Sequence, residues 1–189
     1  MLTKPDLRSA IVGLSAAMLV AVAPRPARAQ VTLEAHGGAG YASVKMSDWA
    51  GGGLNDWQQT SYVGYAQVFF AKAGSVALGA EVGNQYFFWY EVAVPYGIST
   101  IYYEYGVQAT RVMAVARFQG KGNVFAEVGL GAHLFDGFTD GGLAGAVGYK
   151  IPVGGKISIP IKLRADFVND SDTKLTTISA TAGLSYSLK

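Results

Sequence analysis

Two histidines and several carboxylates are the side chains of this sequence that could carry out acid–base chemistry. Glu34 lies two residues before His36, and Glu127 lies six residues before His133. A histidine that acts as a general base needs a nucleophile or a water within hydrogen-bond reach. His36 is followed by two glycines and His133 by Leu and Phe, so neither has a His-x-Ser spacing. The pattern favours structural histidines, and we expect no catalytic residue.

Metal and cofactor sites are not indicated either. The chain has no cysteine, which excludes disulfides and thiolate metal sites. Two histidines far apart in the sequence are weak support for a metal site. The glycine-rich run 37–40 lacks the Lys-Ser/Thr ending and the following helix that a phosphate-binding loop requires. We therefore expect no metal and no cofactor.

Polar and apolar residues alternate along the chain with the period of two that is typical of a strand, and the alternation is clearest in segment 177–188. Its odd positions are Thr, Ser or Gly, and its even positions are Ile, Ala, Leu or Tyr. Side chains of a strand point alternately to opposite faces, so this segment has one polar and one apolar face. A strand with unpaired edges is prone to aggregate, and a closed barrel pairs both edges.

Eight segments alternate in this way. Their expected bounds are about 31–45, 60–72, 75–90, 101–119, 124–135, 141–153, 157–169 and 177–188. The links 46–59, 91–100, 136–140 and 169–174 are polar or loop-like, whereas 73–74, 120–123 and 153–156 are tight, Gly-rich turns. The parity of the apolar residues changes near Thr110, which predicts a β-bulge there. The predicted fold is an all-β, eight-stranded antiparallel up-and-down transmembrane β-barrel.

A soluble β-sandwich or a lipocalin-like barrel is the alternative fold. Such a protein would carry charges on its outer face, whereas the polar face here consists mostly of Gly, Ser and Thr. Aromatic residues near the segment ends also suit two belts at interfacial depth. The expected external belt contains Tyr41, Tyr62, Tyr86, Phe88, Tyr103 and Tyr105, and the expected periplasmic belt contains Phe70, Phe118, Tyr149 and Tyr186.

Residues 1–29 have the organisation of a cleaved signal peptide. A basic start is followed by the apolar run 9–23 and by a small-x-small site at 27–29. The run is about 15 residues long, shorter than the roughly 20 of a spanning helix. We expect cleavage before Gln30 and a barrel domain over 30–189. The segment that remains has 11 basic and 12 acidic residues, and no basic patch indicates nucleic acid.

The end of the chain carries the most specific motif. Thr181, Gly183, Tyr186 and Leu188 follow the order polar-x-Gly-x-x-hydrophobic-x-hydrophobic. With the alternation before it, this ending resembles the small eight-stranded outer-membrane β-barrel superfamily, which includes the transmembrane domain of outer membrane protein A and the opacity-like proteins. The resemblance implies a C-terminal assembly signal. The chain departs from the usual terminal Phe, because Leu188 takes the last apolar position and Lys189 follows.

The polar faces of the eight segments would point into the lumen of such a barrel. Isolated charges in a narrow lumen are unfavourable, so we expect a structural network of ion pairs and hydrogen bonds. Its expected members are Glu34, His36, Glu81, Arg117, Glu127, His133, Lys162, Arg164 and Asp166, with Glu104 and Arg111 depending on the bulge. The stagger of the strands does not follow from the sequence, so the partners stay open.

The sequence thus predicts an exported, non-catalytic protein of the outer membrane with both termini in the periplasm. Its role would be structural or surface interaction; the alternatives are a narrow, porin-like pore and a lipid A-modifying barrel enzyme. Expected partners are outer-membrane lipids, lipopolysaccharide and the assembly machinery, and we expect a monomer. Trp49 and Trp57 in the first long link are candidates for binding a partner or for joining the aromatic belt.

Overall fold

The computed structural model describes residues 31–46, 57–96, 99–169 and 173–188, which form eight antiparallel strands. The strands are β1 (Val31–Met46), β2 (Trp57–Ala73), β3 (Val76–Tyr96), β4 (Ser99–Gln119), β5 (Val124–Leu134), β6 (Thr139–Gly154), β7 (Ile157–Asn169) and β8 (Thr173–Leu188). Each strand pairs with the next in chain order, and β8 pairs with β1 to close a barrel. The predicted eight-stranded up-and-down barrel is confirmed.

Some predicted features lie outside the described residues. These are the leader 1–29, Trp49 and Lys189, as well as the side chain of Trp57, whose backbone begins β2. No helix long and apolar enough to span a membrane occurs in the described ranges.

The two faces of β5 and β7 differ as the sequence pattern predicts. In β5, Phe125 and Glu127 are buried, whereas Val124 and Val128 are about half exposed on the outer surface. In β7, Lys162 and Arg164 are buried and Leu163 between them is 56% exposed. The apolar face therefore points outward, the reverse of a soluble protein and the arrangement expected in lipid.

The stagger of the strands follows from the pairing register. We start at Leu33 of β1 and move each time to the directly opposed residue of the next strand. The residues reached in this way are Val68, Ala80, Ala114, Leu130, Leu143, Phe167 and Thr176. The residue of β1 that is opposite Thr176 is Ser43, so the stagger around the barrel is ten residues. A stagger of this kind accompanies a strand tilt of about 35–45°. The tilt determines which inward side chains meet across the lumen.

The two ends of the barrel differ. Three tight turns join β2 to β3, β4 to β5 and β6 to β7, as predicted, and we call this end the turn end. Gly74 and Gly122 have φ values of 60° and 69° in two of these turns, a conformation that glycine adopts without steric penalty. The opposite end, where the longer connections lie, is the loop end.

The predicted loop over 91–100 is wrong for most of its length. β3 continues to Tyr96 and β4 begins at Ser99, so the two strands form a long hairpin. Val94 is opposite Ile101 in this hairpin. β-branched and aromatic residues favour paired strands, which explains why the polar residues between them do not interrupt the hairpin.

The predicted bulge near Thr110 is also wrong in its position. In β4 the odd positions from Ala109 to Arg117 are all buried, so no parity change occurs there. The irregularity lies on the neighbouring strand, between Tyr86 and Phe88 of β3. Arg111 consequently points inward.

Candidate functional site: the barrel interior

One guanidinium joins two carboxylates in the half of the lumen near the turn end. Arg117 of β4 donates from Nη1 and Nη2 to Glu34 of β1, at 2.6 and 2.5 Å, which forms a bidentate pair across the barrel. Its Nε donates to Glu127 of the adjacent strand at 2.7 Å. All three side chains are almost fully buried. Fork-shaped pairs of this kind are the strongest that arginine forms with carboxylates.

A second cation and an amide extend this cluster. Lys162 Nζ lies 3.0 Å from Glu127 Oε2 and donates to Gln67 Oε1 at 2.6 Å. Lys150, at the lumen mouth, lies 2.9 Å from Glu34 Oε1. Gln67 Nε2 donates to Glu81 Oε2 at 2.7 Å and so connects this cluster to the next.

The half of the lumen near the loop end holds a second set of ion pairs. Arg164 Nε donates to Asp166 at 2.8 Å, and its Nη1 donates to Glu81 at 2.7 Å. Arg111 Nε lies 2.9 Å from Glu81 Oε1, an ion pair without the alignment of a hydrogen bond. Arg111 Nη1 also donates to Gln85 at 3.2 Å. These two clusters together form what we call the lumen network.

The fully buried charges of the lumen network are balanced. Its fully buried members are four carboxylates and four cations: Glu34, Glu81, Glu127, Asp166, Arg111, Arg117, Lys162 and Arg164. An unpaired charge in a dry interior is strongly unfavourable, and each of these eight has an oppositely charged partner.

Aromatic rings separate the cations of the lumen network. Arg117 lies between Phe69 and Phe125, with its Cζ at 4.0 and 4.5 Å from the two ring centroids. Tyr65 has Arg111 over its ring at 4.4 Å and donates or accepts a hydrogen bond with Thr181 at 3.2 Å. Cation–π contacts offset part of the desolvation of these cations.

Glycines on neighbouring strands make room for these rings. A Cβ on Gly148 would lie 2.4 Å from Phe125 Cζ, and a Cβ on Gly83 would lie 2.4 Å from Tyr65 Cβ. Each glycine is the direct register partner of the ring beside it. These glycines of the polar face therefore leave the space that the large inward side chains occupy.

An apolar cluster lies inside the barrel beyond the network, toward the loop end. We call it the apolar cap; it contains Ala42, Phe87, Ala109, Val168 and Leu175, with Val107 and Phe135 packed against them. The Phe87 and Phe135 rings stack at 5.7 Å. The apolar cap explains why a β-bulge was wrongly predicted near Thr110. Val107 and Ala109 are apolar because they face the cap, not because they face lipid.

The two histidines are buried in different surroundings. His36 Nε2 lies 3.0 Å from Glu34 Oε2, and its ring stacks on Tyr65 at 4.7 Å. His133 lies beneath Phe87, with a centroid distance of 6.2 Å. Neither nitrogen of its ring has a hydrogen-bond partner among the described side chains, and its Nδ1 edge lies against Gly142. Within the same residues, no three His, Cys, Asp or Glu side chains are grouped as metal ligands.

The predicted members of the network all point inward, and the structure adds others. Arg111 joins, whereas the side chain of Glu104 lies outside the described ones. The polar face of β3 also includes Gln85, which the alternation places inward, as the structure shows. Sequence reasoning missed Gln67 and Lys150, although each lies between outward apolar neighbours. That position was the available signal, because an amide or lysine between two lipid-facing residues must point inward.

The residues of the predicted assembly signal divide between the two faces. Thr181 is buried, and Gly183 lies beside the His36 ring, where a Cβ would be 2.6 Å from Nδ1. Tyr186 and Leu188 are each 41% exposed on the outer surface.

The predicted aromatic belts are described in part. Their exposed members include Tyr41, Tyr62, Phe118 and Tyr149, and the side chains of Phe88, Tyr103 and Tyr105 are not described.

The fold and its interior define the class: a closed antiparallel barrel with an apolar outer wall and buried ion pairs inside. The chain has the fold of the small eight-stranded outer-membrane β-barrels. Neisserial surface protein A has a TM-score of 0.56 at 12% identity, covering 82% of this chain and 96% of that chain. The outer membrane protein OprG from Pseudomonas aeruginosa has a TM-score of 0.51 at 10% identity, covering 85% and 96%. No protein-family model and no curated protein matches the chain.

Proposed function

We propose that this protein is a non-conducting, non-catalytic barrel of the outer membrane that presents a surface element outside the cell. The observation that carries the proposal is the filled interior: the lumen network and the apolar cap occupy the lumen in series. An eight-stranded barrel has space for side chains and little more. Interaction with other molecules would then depend on the parts of the chain that extend beyond the barrel wall.

Conductance in planar bilayers tests the closed lumen. We expect no channel events from the purified, refolded barrel, under conditions in which an added porin gives clear steps. Steady, protein-dependent steps would replace this proposal with the narrow-pore alternative.

The long β3–β4 hairpin is the element that supports surface interaction. β3 loses its pairing with β2 beyond Tyr86, and β4 pairs with β5 only from Thr110 onward. The residues between them pair only with each other, so the hairpin projects from the barrel. Tyr96 and Tyr102 are 73% and 63% exposed on it. Exposed tyrosines are frequent in binding surfaces.

The location rests on the leader and on the apolar wall. We propose that residues 1–29 are removed, that the turn end faces the periplasm with both termini, and that the barrel is a monomer among lipids and lipopolysaccharide, inserted by the assembly machinery. Mass spectrometry of the protein from the outer-membrane fraction should give a chain that begins at Gln30. An uncleaved chain in the inner membrane would overturn the location.

The non-catalytic role is supported by the position of the histidines. Both rings lie inside the lumen, away from the outer surface that lipid A would contact. The lipid A profile of cells should be the same with and without the gene. A mass difference equal to an added or lost acyl chain would favour the lipid A-modifying alternative.

A further inference from the structure

Every tight turn at the turn end carries one exposed lysine: Lys72, Lys121 and Lys156. The segments 71–75, 119–124 and 153–157 contain no Asp or Glu. We propose that these three lysines form a basic rim that binds the anionic phosphate headgroups of phospholipids in the leaflet around the turn end. This inference rests on the membrane placement of the proposed function.

Among the described residues, the turn end carries no Asp or Glu outside the lumen network. Lys150, at the lumen mouth, is paired with Glu34 and does not belong to the basic rim. The four carboxylates of the lumen network are paired inside. The other acidic residues of the described ranges, Glu91, Glu104, Asp136 and Asp140, all belong to the loop end. In the part of the chain that the structure describes, the exposed charge of the basic rim therefore lies at the turn end and the remaining acidic charge at the loop end.

The basic rim lies at the depth of headgroups. Two of the lysines lie within three residues of an exposed apolar side chain at the end of the lipid-facing wall: Phe118 precedes Lys121 and Ile157 follows Lys156. A lysine next to such a side chain can extend its ammonium group to the level of the lipid phosphates.

Backbone hydrogen bonds hold the turns at this height. Gly120 N donates to Val124 O at 2.9 Å, and Ser187 N donates to Lys156 O at 3.0 Å. Gln119 N donates to Ser75 O at 2.7 Å, which ties the first two turns together. The three lysines are thus fixed to a rigid rim rather than to mobile loops.

The spacing of the lysines favours a lipid surface over a compact acidic protein. They belong to the β2–β3, β4–β5 and β6–β7 turns, so they are distributed around the barrel. A protein partner would need them on one side, whereas separate headgroups in a leaflet can meet each one. An anionic lipid surface attracts each lysine that lies near it, so several lysines around the barrel together favour anionic lipids over zwitterionic ones.

The test uses the refolded protein in phosphatidylcholine vesicles with spin-labelled phosphatidylglycerol or spin-labelled phosphatidylcholine. At low salt we expect the wild type to immobilise the anionic probe about two- to fivefold more strongly than the zwitterionic one. The preference should fall to about one in K72Q/K121Q/K156Q, survive in K72R/K121R/K156R, and decrease at high salt. K45Q/K174Q, which removes two lysines of the loop end, is the matched control and should keep it.

The outcomes separate this inference from the proposed function. An inserted, heat-modifiable barrel without preference for the anionic probe overturns the basic rim alone. A preference that is retained in the triple Gln variant and lost in K45Q/K174Q overturns it as well, and assigns headgroup binding to the loop end. Failure of the wild type to insert as a heat-modifiable barrel contradicts the proposed function itself.

Discussion

Arg117 is the single side chain on which most of the lumen pairing near the turn end depends. Replacing it with Met removes the bidentate donor of Glu34 and one cationic donor of Glu127, which then keep Lys150 and Lys162 as partners. Removal of one partner from a buried ion pair destabilises proteins by about 3–5 kcal/mol. We expect a loss of this size in the free energy of unfolding of R117M, measured by urea titration of the barrel in vesicles.

Two controls isolate the buried charge in that experiment. K121M removes an exposed cation and should change stability by well under about 1 kcal/mol. E34Q/R117M should be less destabilised than R117M, because the second substitution removes one buried negative charge that had lost its bidentate partner. An R117M barrel as stable as K121M would mean that water or another cation replaces the guanidinium.

Gly148 illustrates a small residue whose role is to accommodate a ring. A Cβ there would lie 2.4 Å from Phe125 Cζ and 2.7 Å from Ile161 O. Overpacking of this kind destabilises by about 1–3 kcal/mol, and we expect G148A to lower the urea midpoint accordingly. Gly145 is the matched control on the same strand, since a Cβ there meets nothing within 4 Å. Equal effects of G148A and G145A would contradict the steric explanation.

At the scale of single residues, the sequence was enough to assign faces but not partners. The parity of Lys162 and Arg164 between outward Ile161, Leu163 and Ala165 predicted their inward direction. That Arg117 reaches Glu34, rather than some other carboxylate, depends on the stagger of ten residues around the barrel. This quantity is set by all eight pairings together and is not encoded in any one segment.

At the scale of strands, the sequence predicts the faces correctly where a strand alternates regularly. The prediction fails where the inward face of a strand changes from polar to apolar. β5 and β7 alternate between an outward apolar face and an inward face that carries their charged residues, and their predicted bounds differ from the observed ones by at most one residue. β4 passes from the polar network into the apolar cap, so Ala109 and Arg111 share an inward parity. Alternation shows which residues share a face of the strand. It does not show whether an apolar face contacts lipid or an apolar part of the lumen.

The β3–β4 hairpin should be dispensable for the barrel. Replacing residues 90–105 with Asn-Gly joins Trp89 to Gly106, which are direct partners, and keeps Phe87 in the apolar cap. The removed residues pair only with one another, so we expect unchanged heat-modifiable migration and an unchanged urea midpoint. A shortened protein that no longer folds would show that the hairpin contributes to barrel formation. F87A is the contrasting variant, and it should be destabilised because it removes a fully buried ring.

At the scale of the whole molecule, closure between the first and last strands determines the stagger and hence every contact in the lumen. The absence of cysteine allows a direct test by engineered cross-linking. Ala39 and Ala180 are directly opposed across the β1–β8 seam, and both lie on the outer face. Directly opposed Cβ atoms lie about 4.5–5.5 Å apart, close to the range that a disulfide bridges.

We therefore expect A39C/A180C to form an intramolecular disulfide on oxidation of the folded barrel, detected by mass spectrometry and by loss of the mobility shift on boiling. A39C/L184C is the control, because Leu184 is opposite Ala35 and thus displaced along the seam. Cross-linking in the control but not in the A39C/A180C barrel would mean a different register. The pairing of Arg117 with Glu34 would then have to change too, because a shift at the seam alters the stagger that brings β1 and β4 side chains together.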